Sequence, residues 1–258
     1  MLSYQHAYHA GNLADVHKHA MLAWILDYMG QKDKPLTYFE THAGRALYQL
    51  NSDEAAKTGE AAQGVLKVLK GFPDAHPYRC ILSKVRADHG DYAYPGSPMI
   101  AGRMLRPGDA GHLAVLHPAE FAALQEAMLP FPLAVHHRDG FELAMSLTPP
   151  EPRRGLMLID PSYEVKDDYE ALPHFLYKQH RKWNVGVLIL WYPVLTSGLH
   201  EQMAKVLDAC NFPGALHHQV KFPPARSGHG MVGSGLFIVN APFGADKEAA
   251  RIAKIIGG

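Results

Sequence analysis

The chain has 258 residues, 47% hydrophobic and 19% charged, a globular balance that excludes a disordered or fibrous protein and leaves room for one full core. Lys and Arg together number 25 and so do Asp and Glu, which excludes bulk basicity as a means of holding phosphate; nucleic acid would have to be met by a local patch. The 17 histidines, some of which gain charge near neutral pH, make the effective surface potential more positive than the formal zero.

The first 20 residues contain no basic stretch leading into an apolar one, so no secretory signal is read. Leu22, Ile25, Leu26 and Met29 recur at helical spacing and predict a first helix over Asp15 to Met29, with Gly30 as the left-handed residue that ends it. Leu36 to Glu40 predicts a buried strand that stops at Thr41-His42-Ala43-Gly44. Residues 51–91 then break the rhythm: amphipathic stretches at Glu60 to Lys70 and Pro77 to Ala87 predict a small helical subdomain inserted between the first and second strands. Its polar positions carry Lys67, Lys70, Arg79, Lys84 and Arg86, which can meet phosphate, although such a face on a surface helix is more often only solvated. Strands at Leu113 to Leu116, Leu133 to His137, Leu156 to Ile159 and Val185 to Trp191 follow, with helices beginning at Pro118 and spanning Tyr169 to Tyr177. Alternating strands and helices imply a parallel sheet with right-handed crossovers. Leu216 to Phe222 and Leu236 to Val239, joined by a Gly-rich link, predict an antiparallel hairpin at the sheet edge. The expected architecture is an α/β, Rossmann-like, mostly parallel sheet in one domain over residues 1–258, carrying the 51–91 insertion.

Cys80 and Cys210 form no CxxC pair, against zinc-ribbon and thioredoxin-like chemistry, and suit a reducing compartment. The most apolar run, Val185 to Val194, is far short of the roughly 18 to 20 residues that span a bilayer, so the expectation is a soluble, cytoplasmic protein that meets no membrane.

The strongest chemical signal is Asp160-Pro161-Ser162-Tyr163, set at the end of the apolar strand Leu156 to Ile159. In an open α/β sheet the ligand crevice lies beyond the carboxyl ends of the strands, where this tetrapeptide falls. The Asp160 carboxylate and the Pro161 carbonyl can each accept one hydrogen bond from the amine of an adenine, favouring a pyramidal nitrogen whose lone pair points at a methyl sulfonium. Proline fixes the backbone that presents the carbonyl, and Tyr163 offers a face on which an extruded base can stack. A bare Asp-Pro-x-Tyr is more often a strand followed by a turn; its place after a buried strand turns the balance. Thr41-His42-Ala43-Gly44 and Asp139-Gly140 sit after two further strands, where a Gly permits close backbone approach and an Asp can accept from an adenine amine.

Gly228 to Gly233 matches G-x-G-x-x-G but precedes a strand rather than opening a helix, so a dinucleotide fingerprint is rejected. His17 and His19 are two apart on a helix and face different ways, so they cannot chelate a metal together, and no metal site is predicted. P-loop, serine-hydrolase and zinc-deaminase motifs are absent.

Taken together, Met1-Leu2-Ser3-Tyr4, His9-Ala10-Gly11-Asn12, Lys18-His19, Thr41-His42-Ala43-Gly44, Tyr94-Pro95-Gly96-Ser97-Pro98, Leu116-His117-Pro118, Asp139-Gly140-Phe141 and Trp191-Tyr192-Pro193-Val194 make the chain resemble the bacterial 23S rRNA adenine-N6 methyltransferases of the RlmJ type over most of its length. The resemblance implies a class I methyltransferase fold with an inserted helical subdomain, S-adenosyl-L-methionine as cofactor and 23S rRNA as partner, with the chain acting as a monomer. It implies cofactor contacts at His19, His42, Ser97, Asp139, Gly140 and Asp160, with Asp160 also the catalytic acceptor, and substrate contacts at Tyr4, His6 and Lys18. The chain departs from that pattern twice. Ser162 stands for the second proline of Asp-Pro-Pro-Tyr, and Val115 stands for a Glu that would bind the ribose hydroxyls. Two alternatives remain open on the residues: a DNA adenine methyltransferase, and a catalytically weakened nucleic-acid-binding protein linked to use of external DNA.

Overall fold

The computed structural model describes residues 6–225, 228 and 230–257. Its secondary structure begins, after a 3-10 turn at His6–Tyr8, with α1 (Leu13–Gly30), β1 (Thr37–Glu40), β2 (Leu47–Gln49), α2 (Asp53–Thr58), α3 (Glu60–Gln63), α4 (Val65–Val68) and α5 (Pro77–His89). It continues through β3 (Ala93–Pro95), α6 (Ser97–Met104), β4 (Ala110–Ala114), α7 (Pro118–Met128), β5 (Leu133–His136), α8 (Gly140–Leu147) and β6 (Gly155–Ile159). The last elements are α9 (Asp168–Lys182), β7 (Val187–Leu195), α10 (Leu199–Ala209), β8 (Leu216–Lys221), β9 (Met231–Val239) and α11 (Ala245–Gly257).

Every residue of β1 and of β6 is buried, as expected of strands covered on both faces. Successive side chains of a strand point to opposite faces, so the central strands feed two cores. Leu156 and Leu158 of β6 join Ile189 and Ile238 in a cluster completed by Met21, Leu22 and Ile25 of α1 and Ile252 of α11. Met157 and Ile159 join Leu188, Leu190 and Phe237 in a second, completed by Leu172 and Leu176 of α9 and Met203 and Leu207 of α10. The sheet has seven strands in the order β5-β4-β1-β6-β7-β9-β8; the first five are parallel, and β9 runs antiparallel to both β7 and β8. Glu40 is level with Leu113 on one side and Leu158 on the other, so β4, β1 and β6 end together and the residues after them share one edge.

Several boundaries differ from the sequence expectation for local reasons. Gly30 is the last helical residue of α1 rather than a left-handed one, and the chain continues in right-handed geometry through Gln31. The Glu60 to Lys70 stretch is broken at Gly64, where an added Cβ would lie 2.1 Å from the Gly11 carbonyl oxygen. β4 ends at Ala114, short of Leu116, while β7 runs on to Leu195 through Pro193. That proline lies beyond the last β6 pairing, where one side of the strand has no ladder partner to lose. The short antiparallel pair β2–β3 was not anticipated; it closes the base of the 51–91 excursion. The apolar residues of that excursion, among them Val65, Phe72, Leu82 and Val85, pack into the same cluster as α1.

Candidate active site

Where β4, β1, β6 and β7 end, a pocket of about 420 Å³ opens. The chain crosses from β1 towards β4 and β5 on one side and returns to β6 and β7 on the other, so the pocket lies where the strand order reverses, the usual ligand position in such sheets. It is lined by the predicted residues His6, Lys18, His19, His42, Ser97, Gly140, Asp160 and Pro161, which the fold brings together from six segments.

Asp160 follows the last residue of β6, and its Oδ2 receives the ammonium of Lys18 at 2.5 Å. The same ammonium is 3.3 Å from Asp15 Oδ1 and 5.2 Å from the centre of the Trp191 ring. Asp15 is itself buried and takes hydrogen bonds from Gly11 N and from His6 Nε2, each at 2.9 Å. Burial alone would raise the Asp15 carboxyl, but His6, Lys18 and His19 around it outweigh that and hold it well below the usual carboxylate range. Burial would likewise strip the Lys18 proton, yet Asp160 and Asp15 keep it firmly charged. Lys18 and Asp15, both buried, and the partly exposed Asp160 thus form a trio with one net negative charge.

His19 and His42 add none. Burial pushes His19 down to about 3 and His42 down to about 4, so both are neutral at physiological pH. His19 Nδ1 lies 2.9 Å from the Tyr94 hydroxyl, and His42 Nδ1 lies 2.7 Å from Thr41 Oγ1. Ser97 opens α6, and its hydroxyl donates to Glu40 Oε1 at 2.6 Å, leaving the oxygen as an acceptor. Glu40 is buried at the end of β1 and also accepts from the Tyr38 hydroxyl at 2.8 Å; burial lifts it to about 7 against those two bonds. Gly140 opens α8 against Thr41, where an added Cβ would fall 1.7 Å from the Thr41 carbonyl oxygen, so only glycine lets the two loops meet.

Two predicted residues stand apart from the pocket. Asp139 is not among its lining residues; its Oδ1 caps α8 by accepting from Glu142 N at 2.9 Å. Tyr163 is not among them either: its backbone has φ 56°, and its hydroxyl donates to the Trp191 carbonyl at 2.6 Å while its ring packs against Tyr169. Tyr4 lies outside the described residues. Of the two departures, Val115 lines the pocket with an apolar side chain, and Ser162 lines it beside Pro161.

The sequence reading missed Asp15, Glu120, Trp191 and Met231, all of which line the pocket. Asp15 was within reach, since it lies one helical turn before both Lys18 and His19. Trp191 is placed by a long-range network that no local signal reports. Its Nε1 donates to Ser234 Oγ at 2.8 Å, and Ser234 meets His17 Nδ1 at 2.9 Å, whose Nε2 reaches His218 Nδ1 at 3.0 Å.

With this geometry established, comparison places the chain among known proteins. A family model described as "Ribosomal RNA large subunit methyltransferase D, RlmJ" matches residues 33–257. The chain is 35% identical to ribosomal RNA large subunit methyltransferase J of Escherichia coli (strain K12), covering 98% of this chain and 91% of that one. It is 34% identical to the protein of the same name from Haemophilus influenzae, over 98% of this chain and 92% of that one. A crystal structure of a Legionella pneumophila protein superposes with a TM-score of 0.85 at 32% identity, covering 95% of this chain and 92% of that one. The METTL16 methyltransferase domain shares the fold at a TM-score of 0.50 and 11% identity, over 86% of this chain and 66% of that one. The architecture is therefore that of a class I methyltransferase, and the chain belongs to the RlmJ family of ribosomal RNA large subunit methyltransferases.

Proposed function

We propose that the chain transfers a methyl group from S-adenosyl-L-methionine to the exocyclic N6 amine of an adenine in 23S rRNA. The observation that carries this reading is the Asp160-Pro161 step, set at the end of a buried strand and opening on a 420 Å³ pocket.

The pocket's donor set fits the cofactor. A sulfonium is a cation, and the Lys18–Asp15–Asp160 trio offers it one net negative charge while His19 and His42 stay neutral. Ser97, its proton committed to Glu40, presents an acceptor suited to an ammonium group. Gly140 lets the start of α8 close on Thr41 beside the same pocket. His19, His42, Ser97, Gly140 and Asp160 would hold the cofactor, with Asp139 at the margin through the oxygen it does not spend on the α8 cap. When bound, the cofactor supplies an electrophilic methyl group.

The protein's own residues prepare the nucleophile. Lys18 occupies Asp160 Oδ2 and leaves Oδ1 to accept one amine hydrogen; the Pro161 carbonyl takes the other. Both acceptors favour a nitrogen whose lone pair is directed at the methyl carbon. The proton that N6 sheds on methylation leaves along the hydrogen bond to Asp160. Lys18 and His6 stand at the pocket to meet the flipped nucleotide, and Trp191, rather than Tyr163, supplies the aromatic wall. The names of both curated relatives refer to ribosomal RNA, which favours RNA over DNA as substrate.

Mass spectrometry of 23S rRNA nucleosides from a strain lacking the gene tests the reading. One N6-methyladenosine should be lost, and return on complementation with the wild-type chain but not with D160A. Unchanged N6-methyladenosine in the deletion strain would overturn it.

A further inference from the structure

Among the described residues, three carboxylates line the pocket: Asp15, Asp160 and Glu120. Asp15 is spent, since one oxygen takes Gly11 N and His6 and the other faces Lys18 and His19. Asp160 is held by Lys18 at the β6 end. Glu120 lies at the opposite end, in the first turn of α7, with its side chain 17% exposed. Arg45 grips it through two nitrogens: Nη2 at 2.5 Å and Nε at 3.2 Å meet Oε1, and Nε lies 3.1 Å from Oε2. A carboxylate has about four acceptor positions, so Glu120 keeps capacity on Oε2. Val115, the first residue after β4 on the way to α7, offers the pocket only methyl groups from its side chain, and Leu116 beside it is apolar too.

Adjacent strands lie about 4.8 Å apart, which sets the β4 and β6 ends roughly 10 Å from one another with β1 between. A ligand with its sulfur by Asp160 and its adenosyl group directed along the strand ends would bring its ribose hydroxyls, a few bonds further along, toward the β4 end. A vicinal diol is a pair of donors and calls for a fixed, charged acceptor there. We propose that Glu120, oriented by Arg45, accepts the ribose hydroxyls of the adenosyl ligand, so that this chain reads the sugar from the first turn of α7 instead of from the end of strand β4. The assignment rests on the cofactor reading above, and its alternative is a surface clip that merely ties the loop after β1 to α7.

Calorimetric titration of the full chain with S-adenosylhomocysteine and with its 2′,3′-dideoxy counterpart separates the two. The wild type should bind the diol form tighter by about tenfold or more, the scale of a charge-assisted hydrogen bond, and E120A should bind both forms within about threefold of each other. A clip would weaken both ligands equally on substitution and leave their ratio intact, which would overturn the assignment. Equal binding of both ligands by the wild type would also overturn it while leaving the cofactor reading in place. Failure of the wild type to bind either ligand would remove the cofactor reading and this assignment with it.

Discussion

Lys18 is the residue on which the pocket's charge balance turns, because it is a buried cation between two carboxylates, one of them, Asp15, almost wholly withdrawn from water. Replacing it by Met should destabilise the fold by about 3 to 5 kcal/mol, the scale of breaking a buried ion pair on one side, read from urea denaturation. A loss below about 1 kcal/mol would mean that Asp15 and Asp160 do not depend on it. Glu40 gives a pH signature of opposite character. Its carboxyl is lifted from an ordinary 4.5 to about 7, so the folded chain keeps a proton that the unfolded chain releases between those values. The stability this contributes is fully present below 4.5 and is lost as pH rises through 7. Buried His17 and His19, pushed down to about 3, act the other way, losing their contribution as pH falls below 6.5, but they are common to wild type and E40Q and cancel in the difference. The stability of E40Q relative to wild type should therefore rise between pH 4.5 and 7; a flat difference would contradict it. At this scale the sequence was informative where a chemical need coincided with a strand end, as at Asp160, Pro161 and Gly140. It expected a stacking face from Tyr163, whose left-handed backbone accompanies a hydroxyl bond to the Trp191 carbonyl, and it was silent on Trp191, which is fixed by Ser234, 43 residues away in sequence.

Among the elements, the tightest fit is between α8 and the loop after β1. The Cβ of G140A has no room beside the Thr41 carbonyl oxygen, so the helix start or the loop must shift. Such overpacking costs about 1 to 3 kcal/mol or more, and here it also opens the pocket, so G140A should lower both the melting temperature and the affinity for S-adenosylhomocysteine. Wild-type values for both would show that the contact is slack. The central strands were legible because burial on both faces writes an unbroken apolar run, as in Leu156 to Ile159. The β2–β3 pair was not, since each strand is three residues long and one ends in proline, leaving no alternation to detect. The break at Gly64 was equally hidden: its cause is the Gly11 carbonyl, a tertiary contact beyond any local window.

For the molecule as a whole, the alternation of strands and helices announced a parallel sheet with an antiparallel edge, which the seven-stranded order bears out. The pairing within that edge was not written locally: β9 enters between β7 and β8, so the earlier strand of the hairpin becomes the outermost. No described helix is long and apolar enough to cross a membrane. With Lys and Arg balanced by Asp and Glu, RNA has no bulk field to settle in, and recognition depends on the pocket and the surface around it. On the function proposed above, this pocket directs a methyl group to the amine held by Asp160 and Pro161. The most direct measurement incubates the purified chain with protein-free 23S rRNA and S-adenosylmethionine carrying a trideuterated methyl group, then identifies the labelled nucleoside by mass spectrometry. Label is expected on N6 of adenosine, reduced about a hundredfold or more in D160A. Label on any other atom, or undiminished labelling by D160A, would contradict it.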